Sequence, residues 1–322
     1  MALALSFLVV AALAGSLPAQ TLNEVVAAGY QQYVPSVVAP GQVVTLFVRS
    51  LNVPDADAGV GALPLPTSLS GVKVRISIPG TPAGYPTFLP IFKIRSLDFC
   101  AGRLSVSCPA TQITVQIPTE PTCVPNGIPD ACNFNGAIGT TLNVEVNGNP
   151  GQDFAVRLGS ASPHILNYCD TVSGTPGGCW PMVTHTDGRG VNPYQAARPG
   201  EELSVWVTGL GPTLPSVKTG DPAPSPAPAA VYKPNFVLSY GVPVPATDGG
   251  LGMWVFVPVE VAIAPSFAGL APNYVGLYQI NIRLPDTVPL QARTAAGTIG
   301  TAQLGLSLSG QIIEQVEVYI QQ

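Results

Sequence analysis

The chain has 322 residues, of which only 10% are charged, with a formal net charge of -5. That length exceeds one small domain and suits two of roughly 130 to 160 residues. The 13 Lys and Arg are dispersed and outnumbered by 18 Asp and Glu, which excludes a phosphate-tracking nucleic-acid surface.

The chain opens with "MALALSFLVVAALAGSLPAQ", apolar from Ala2 to Ala14 and followed by small residues and Pro18. This pattern predicts a signal peptide over residues 1–19, cleaved after Ala19, and an exported mature protein. No Lys or Arg precedes the apolar run, so a buried first strand or an uncleaved anchor is the alternative. "TLNEVVAAGYQQYV" (Thr21 to Val34) follows a Thr cap, and residues 20–35 read as a short helix or a linker.

From there apolar residues alternate with polar ones. "VVTLFVRSL" (from Val43), "VKVRISI" (from Val72), "ITVQI" (from Ile113) and "LNVEVNG" (from Leu142) have this period, as do "ELSVWVTGL" (from Glu202), "YQINIRL" (from Tyr278) and "QVEVYI" (from Gln315). A period of two wets one face of a strand and buries the other, and Gly, Pro, Asn and Asp punctuate the runs. The longest later apolar piece, Met253 to Ala264, is interrupted by Pro258 and Glu260 and is too short to span a bilayer as a helix. The mature chain therefore reads all-β.

It also reads as one plan used twice. "APGQVVTLFVRSLN" from Ala39 aligns with "RPGEELSVWVTGLG" from Arg198, and "ITVQIPTE" from Ile113 aligns with "INIRLPDT" from Ile280. Each half ends in two alternating runs joined by a Gly-containing turn. Strand number and turn density predict a β-sandwich in each half. The expected domains are 36–162 and 163–322, with the boundary near Gly159 to Leu166.

The six cysteines fall into the neighbouring pairs Cys100/Cys108, Cys123/Cys132 and Cys169/Cys179. An even count suits an oxidising compartment, although six cysteines allow 15 pairings. No C-x-x-C spacing and no adjacent His supports zinc.

Within the second half, "ARPGEELSVWVTGLGPTLPSVKTGDPAPSPAP", "FAGLAPNYVGLYQINIRLP" and the terminal hairpin closely resemble an uncharacterised C-terminal domain of secreted proteins from Solibacter-type Acidobacteria, over about 125 residues. The first half, with "VVAPGQVVTLF", "LPTSLSGVKVRI" and "SASPHIL", is similar to the segment that often precedes it. The resemblance implies two tandem immunoglobulin-like sandwiches of the IPT/TIG type in an extracellular, non-catalytic module. This chain departs from it by a Cys-rich insert from Cys100 to Cys132, a longer "TDGGLGMWVFVPVEVAIAPS" stretch and the lack of a large preceding domain.

Against that background, "GLAPNYVGLYQINIRLP" (Gly269 to Pro285) makes conformational demands only: a tightly specified corner leading into a strand that buries Tyr278, Ile280, Ile282 and Leu284. No G-x-S-x-G elbow accompanies His164 or His185, which read as loop histidines unless Asp170 or Asp187 orients one of them. The acids Asp55, Asp57, Asp130, Asp187, Asp221 and Asp286 sit in turn contexts and show no glycosidase pair. "TCVPNGIPDACNFNG" (Thr122 to Gly136) resembles the calcium loops of thrombospondin-type repeats, with Asn126, Asp130 and Asn133 at ligand-like positions. Thr122 and Val124 stand where oxygen-rich residues belong, so a disulfide-closed loop without metal is the favoured reading. Trp206 and Trp254 are expected in the core. Trp180, with Tyr194 and Tyr232, is the candidate sugar-stacking surface. "GDPAPSPAPA" (Gly220 to Ala229) reads as an extended loop within the second domain.

No catalytic, cofactor or metal residue is assigned. The sequence points to an exported interaction module, at the cell envelope or beyond it, whose partner is a protein or polysaccharide. The alternative reading is a carbohydrate-binding module.

Overall fold

In the computed structural model of the chain, the described residues are 24–29, 37–49, 51, 53–58, 63–79, 87–97, 110–120, 138–168, 170, 180–245, 254–288 and 299–321. The predicted signal peptide, all six cysteines and the Thr122 to Gly136 loop lie outside them. The described residues contain strands and turns and no helix.

The first ten strands are β1 (Glu24–Gly29), β2 (Val37–Val38), β3 (Val43–Arg49), β4 (Ala56–Asp57), β5 (Val72–Ser77), β6 (Ile91–Leu97), β7 (Ala110–Gln116), β8 (Ile138–Val146), β9 (Asn149–Pro150) and β10 (Phe154–Leu158). They form one sheet in the order β1-β3-β7-β6-β4 and a second in the order β2-β10-β8-β5. Their facing apolar residues, among them Val44, Leu46, Val74, Ile113, Leu142, Val144 and Leu158, make a single core. Each such side chain contributes about 1.5–3 kcal/mol by leaving water.

Eleven strands follow: β11 (His164–Ile165), β12 (Val183–His185), β13 (Glu202–Thr208), β14 (Thr213–Leu214), β15 (Ala229–Ala230), β16 (Asn235–Pro245), β17 (Trp254–Ile263), β18 (Phe267–Leu270), β19 (Tyr278–Arg283), β20 (Ile299–Leu308) and β21 (Gln311–Gln321). One sheet runs β11-β13-β19-β18-β15-β14, with β12 also on β13, and the other runs β17-β16-β20-β21. A second core lies between them, with Val205, Val207, Phe236, Ile280, Leu304 and Val318 buried together.

Both halves are immunoglobulin-like sandwiches. In the usual lettering, β1-β3-β7-β6 is an A-B-E-D sheet and β10-β8-β5 a G-F-C sheet, with β2 joining β10 in parallel as A′ does with G. The second half repeats this with β13, β19 and β18 as B, E and D and β16, β20 and β21 as C, F and G, while Ala197 bridges Ile320 in parallel.

The duplication holds at the level of single hydrogen bonds. Gly41 and Gly200 both have φ of 75°. Val43 pairs with Gln116 where Glu202 pairs with Arg283. The amide of Ile117 donates to Gln42 O at 2.8 Å, and that of Leu284 to Glu201 O at 2.9 Å. The side-chain Oε1 of Gln42 accepts from Ala39 N at 2.7 Å, and Oε2 of Glu201 from Arg198 N at 2.8 Å.

Two expectations about the strands need correction. The segment read as a short helix or linker contains strand β1, so the first sandwich starts at Glu24, ahead of residue 36; β1 lies antiparallel on β3, whose free edge supplies backbone partners that an isolated short helix lacks. Trp206 is not a core anchor. In β13 the inward positions are Leu203, Val205 and Val207, which leaves Trp206 half-buried on the other face with its indole N–H donating to Thr184 Oγ1 at 3.0 Å.

Candidate functional site

The string Gly269 to Pro285 sits where the two sandwiches meet. After β18 the chain turns through Asn273 and Gly276, at φ of 67° and 65°, and re-enters the sheet as β19. The turn is closed by Ala271 N donating to Leu277 O at 2.8 Å, and tied to the Pro-rich loop by Asn273 N donating to Ala223 O at 2.8 Å. A Cβ on Gly276 would stand 2.6 Å from Val43 Cγ2 and 2.7 Å from Gly41 O, both in the first sandwich. The corner is a contact surface, and only glycine lets the domains approach this closely.

Polar side chains complete the joint. The Thr208 hydroxyl accepts from Val43 N at 3.2 Å and lies 3.4 Å from Gly276 O. Gln42 Nε2 donates to Ser162 O at 3.1 Å. Gln116 Oε1 accepts from Gly220 N at 2.8 Å, and Gly220 O accepts from Leu65 N at 2.9 Å. Thr119 donates from its amide to Thr219 Oγ1 at 2.8 Å and from its hydroxyl to Val217 O at 2.5 Å. Glu120 receives the amide of Thr219 at 3.1 Å and also its hydroxyl. Gln42 and Gln116 are each 2% exposed, so separating the domains at these points would strand buried amide groups. Tyr278 is buried with its hydroxyl donating to Gly211 O, and burial pushes its phenol pKa up. The crevice that Pro40, Gly41, Gly211 and Tyr278 line encloses about 20 Å³, too little for a metabolite.

The histidines occupy opposite ends of the second sandwich. His164 lies in β11 beside the joint, its Nε2 3.0 Å from Asp170 Oδ2 and its Nδ1 3.0 Å from Glu314 Oε1. Burial by itself would lower the imidazole pKa, but hydrogen bonds to Asp170 and Glu314, with their negative charges, raise it to about 9. A ring whose two nitrogens both donate to carboxylates has no lone pair for abstracting a proton. His185 sits at the far end of β12, Nδ1 2.6 Å from Glu201 Oε1 and Nε2 3.3 Å from Gln195 O. Both histidines, read as loop residues in the sequence, lie in short strands, and of the two acids considered there Asp170 meets His164 while Asp187 meets neither ring. Asp187 instead accepts from Arg189 N at 3.0 Å and Nε at 2.7 Å; the backbone bond first, then the side-chain bond and charge, hold its carboxyl below the usual range.

His185, Arg189, Arg198, Glu201, Tyr194 and Gln321 line an open cleft of about 610 Å³ at this far end. Of the aromatics singled out in the sequence, Trp180 and Tyr232 are half-buried, and Tyr194 is 87% exposed. Asn192 presents it: Asn192 Oδ1 accepts from Tyr194 N at 2.8 Å and Gln195 N at 3.0 Å. The acids Asp55, Asp57 and Asp286 are exposed and serve turns and strand edges, as where Asp55 accepts from Ser96 N at 2.7 Å. Among the described residues no group of three His, Cys, Asp or Glu could hold a metal ion.

The joint residues Gln42, Gln116, Thr119, Glu120, Thr208 and Thr219 had not been singled out in the sequence. Their signal was present in part, since Gln42 and Gln116 are amides at strand ends beside the Pro-Gly turn, positions that the alternation would fill with apolar or solvated groups.

No family model matches the chain, and no curated protein matches it. Among solved structures it is similar to the C-terminal domain of the Streptococcus agalactiae AgI/II polypeptide BspA (11% identity, TM-score 0.19, 89% of this chain and 94% of that one). It is similar to DIP-gamma IG1+IG2 (10%, 0.18, 93% and 95%) and to the C-terminal domain of the Streptococcus pyogenes antigen I/II-family protein AspA (10%, 0.18, 89% and 93%). The class, a tandem immunoglobulin-like sandwich protein, rests on strand order.

Proposed function

We propose that the chain is an exported, non-catalytic structural and interaction module: a stiff spacer of two sandwiches that works in protein–protein or cell-surface contacts. The observation that carries this reading is the joint. The most distinctive segment of the sequence and a set of buried amides and hydroxyls fix one domain on the other, where a catalytic protein would place reactive groups. The N-terminal apolar segment and the even cysteine count support export to the envelope or medium. Fractionating source cells that express an epitope-tagged chain tests it. Recovery from envelope or medium, with residues 1–19 removed and cross-links to neighbouring surface components, is expected. Recovery of the intact chain in the cytoplasm contradicts it.

A second reading, the carbohydrate-binding module, is favoured by one observation: Tyr194, not the anticipated Trp180, stands in solvent beside a polar cleft.

A further inference from the structure

The two Pro-Gly ends of the repeat occupy equivalent places with different side chains. In the first sandwich Gln42, Val43, Gln116 and Thr119 stand at this end, and the second sandwich covers them. Their equivalents in the second sandwich are Glu201, Glu202, Arg283 and Asp286. Gln42 uses one side-chain atom to cap Ala39 N and the other to reach Ser162 O, in the segment that connects the two sandwiches. Glu201 makes the same cap on Arg198 N and turns its other oxygen to His185. The end that became a joint carries one charge, Glu120, and pairs it with Thr219 of the other sandwich. The end with Glu201, Glu202, Arg283 and Asp286 is unsuited to the same docking, because burying charges without partners costs several kcal/mol each.

What the charged end presents is the cleft. It lies at the start of β13, and the joint at the finish of that seven-residue strand, roughly 20 Å apart at ~3.3 Å per residue. Its walls offer planar hydrogen-bonding groups: the guanidinium of Arg198, whose Nε lies 3.4 Å from Gln321 Oε1, the carboxamides of Gln195 and Gln321, and the carboxylate of Glu201. One aromatic ring, the exposed Tyr194, lines the same cleft. Apolar peptide side chains find no greasy pocket here. A polyphosphate finds no cationic cradle, since Arg189 is paired with Asp187 and Glu201 adds a negative charge.

We infer that this cleft is a binding site for a neutral polysaccharide, with one sugar ring stacked on Tyr194 and neighbouring hydroxyls shared between Arg198, Glu201 and the two glutamines. Sugars combine an apolar ring face with vicinal hydroxyls, which match an aromatic ring flanked by paired donors and acceptors. Glu201 is pre-positioned by Arg198 N and His185 and needs no rearrangement. The inference rests on the second reading of function and not on the spacer reading, which survives its failure.

The test is retention of the full mature chain on insoluble cellulose, xylan and chitin, with polygalacturonate as the charged control. Wild type is expected to bind at least one of the neutral polymers. Tyr194→Ala and Arg198→Ala should each weaken that binding tenfold or more with unchanged melting temperature. Tyr274→Ala, which removes an exposed ring elsewhere in the second sandwich, is the control and should bind as wild type. Binding to none of the neutral polymers, binding to polygalacturonate alone, or equal binding by wild type and Tyr194→Ala would each overturn the inference.

Discussion

The two Pro-Gly ends of this molecule share a backbone and differ in fate. Around Gly41 the end is roofed by the neighbouring sandwich; around Gly200 it opens to water. Both glycines adopt the same φ, and the turn amides make equivalent bonds. What differs is the number of side-chain charges and their partners: an amide at position 116 where the repeat has Arg283, a hydroxyl at 119 where it has Asp286, and one carboxylate, Glu120 opposite Thr287, that Thr219 takes up. The backbone plan fixes where an end can form. The side chains there decide whether it becomes a joint or a surface.

Exchanging one residue between the ends should break the comparison most sharply. Gln116→Arg places a charge against Gly220 N in the buried joint and is expected to cost about 4 kcal/mol in urea unfolding, the scale of an unpaired buried charge. The reciprocal Arg283→Gln removes only an exposed pair with Asp286 and belongs at the bottom of the scale, within about 0.5 kcal/mol.

Between these extremes stands His164. Its pKa is raised from 6.5 to about 9 in the folded protein. A raised pKa means that the native state holds the proton more tightly, so the stabilisation is complete below pH 6.5 and is lost as pH rises through 9. Converted at 1.36 kcal/mol per unit, the loss is about 3 kcal/mol. Unfolding free energy measured from pH 6 to 10 should show this decline in wild type, and His164→Asn should flatten it. Next comes Gly276→Ala. Its Cβ would press on Val43 and Gly41 O from a left-handed backbone, and a loss of about 2 kcal/mol is expected in thermal unfolding.

Much of the fold was legible because alternation is local. The buried set Tyr278, Ile280, Ile282 and Leu284 follows directly from the period of two. Trp206 was misjudged because bulk was allowed to outweigh that same period, which sets it opposite Val205 and Val207. Strand β1 was missed for a different reason: its partner, β3, lies about twenty residues on, and pairing across that distance leaves no mark in a local window. The joint was hidden more deeply still. Thr119 meets Thr219 one hundred residues away, and nothing in either neighbourhood announces the other. For the open end, an exposed aromatic was foreseen, but Trp180 drew attention through its neighbour Cys179, whereas an Asn192 turn lifts Tyr194 into solvent.

The central claim is that the polar joint holds the two sandwiches in one fixed orientation. Residual dipolar couplings of the mature chain, weakly aligned, measure this directly, because each sandwich reports its own alignment. One shared alignment tensor for both sandwiches, splitting into two in Gln116→Arg, is the result the account predicts. Two independent tensors in the wild-type protein would contradict it.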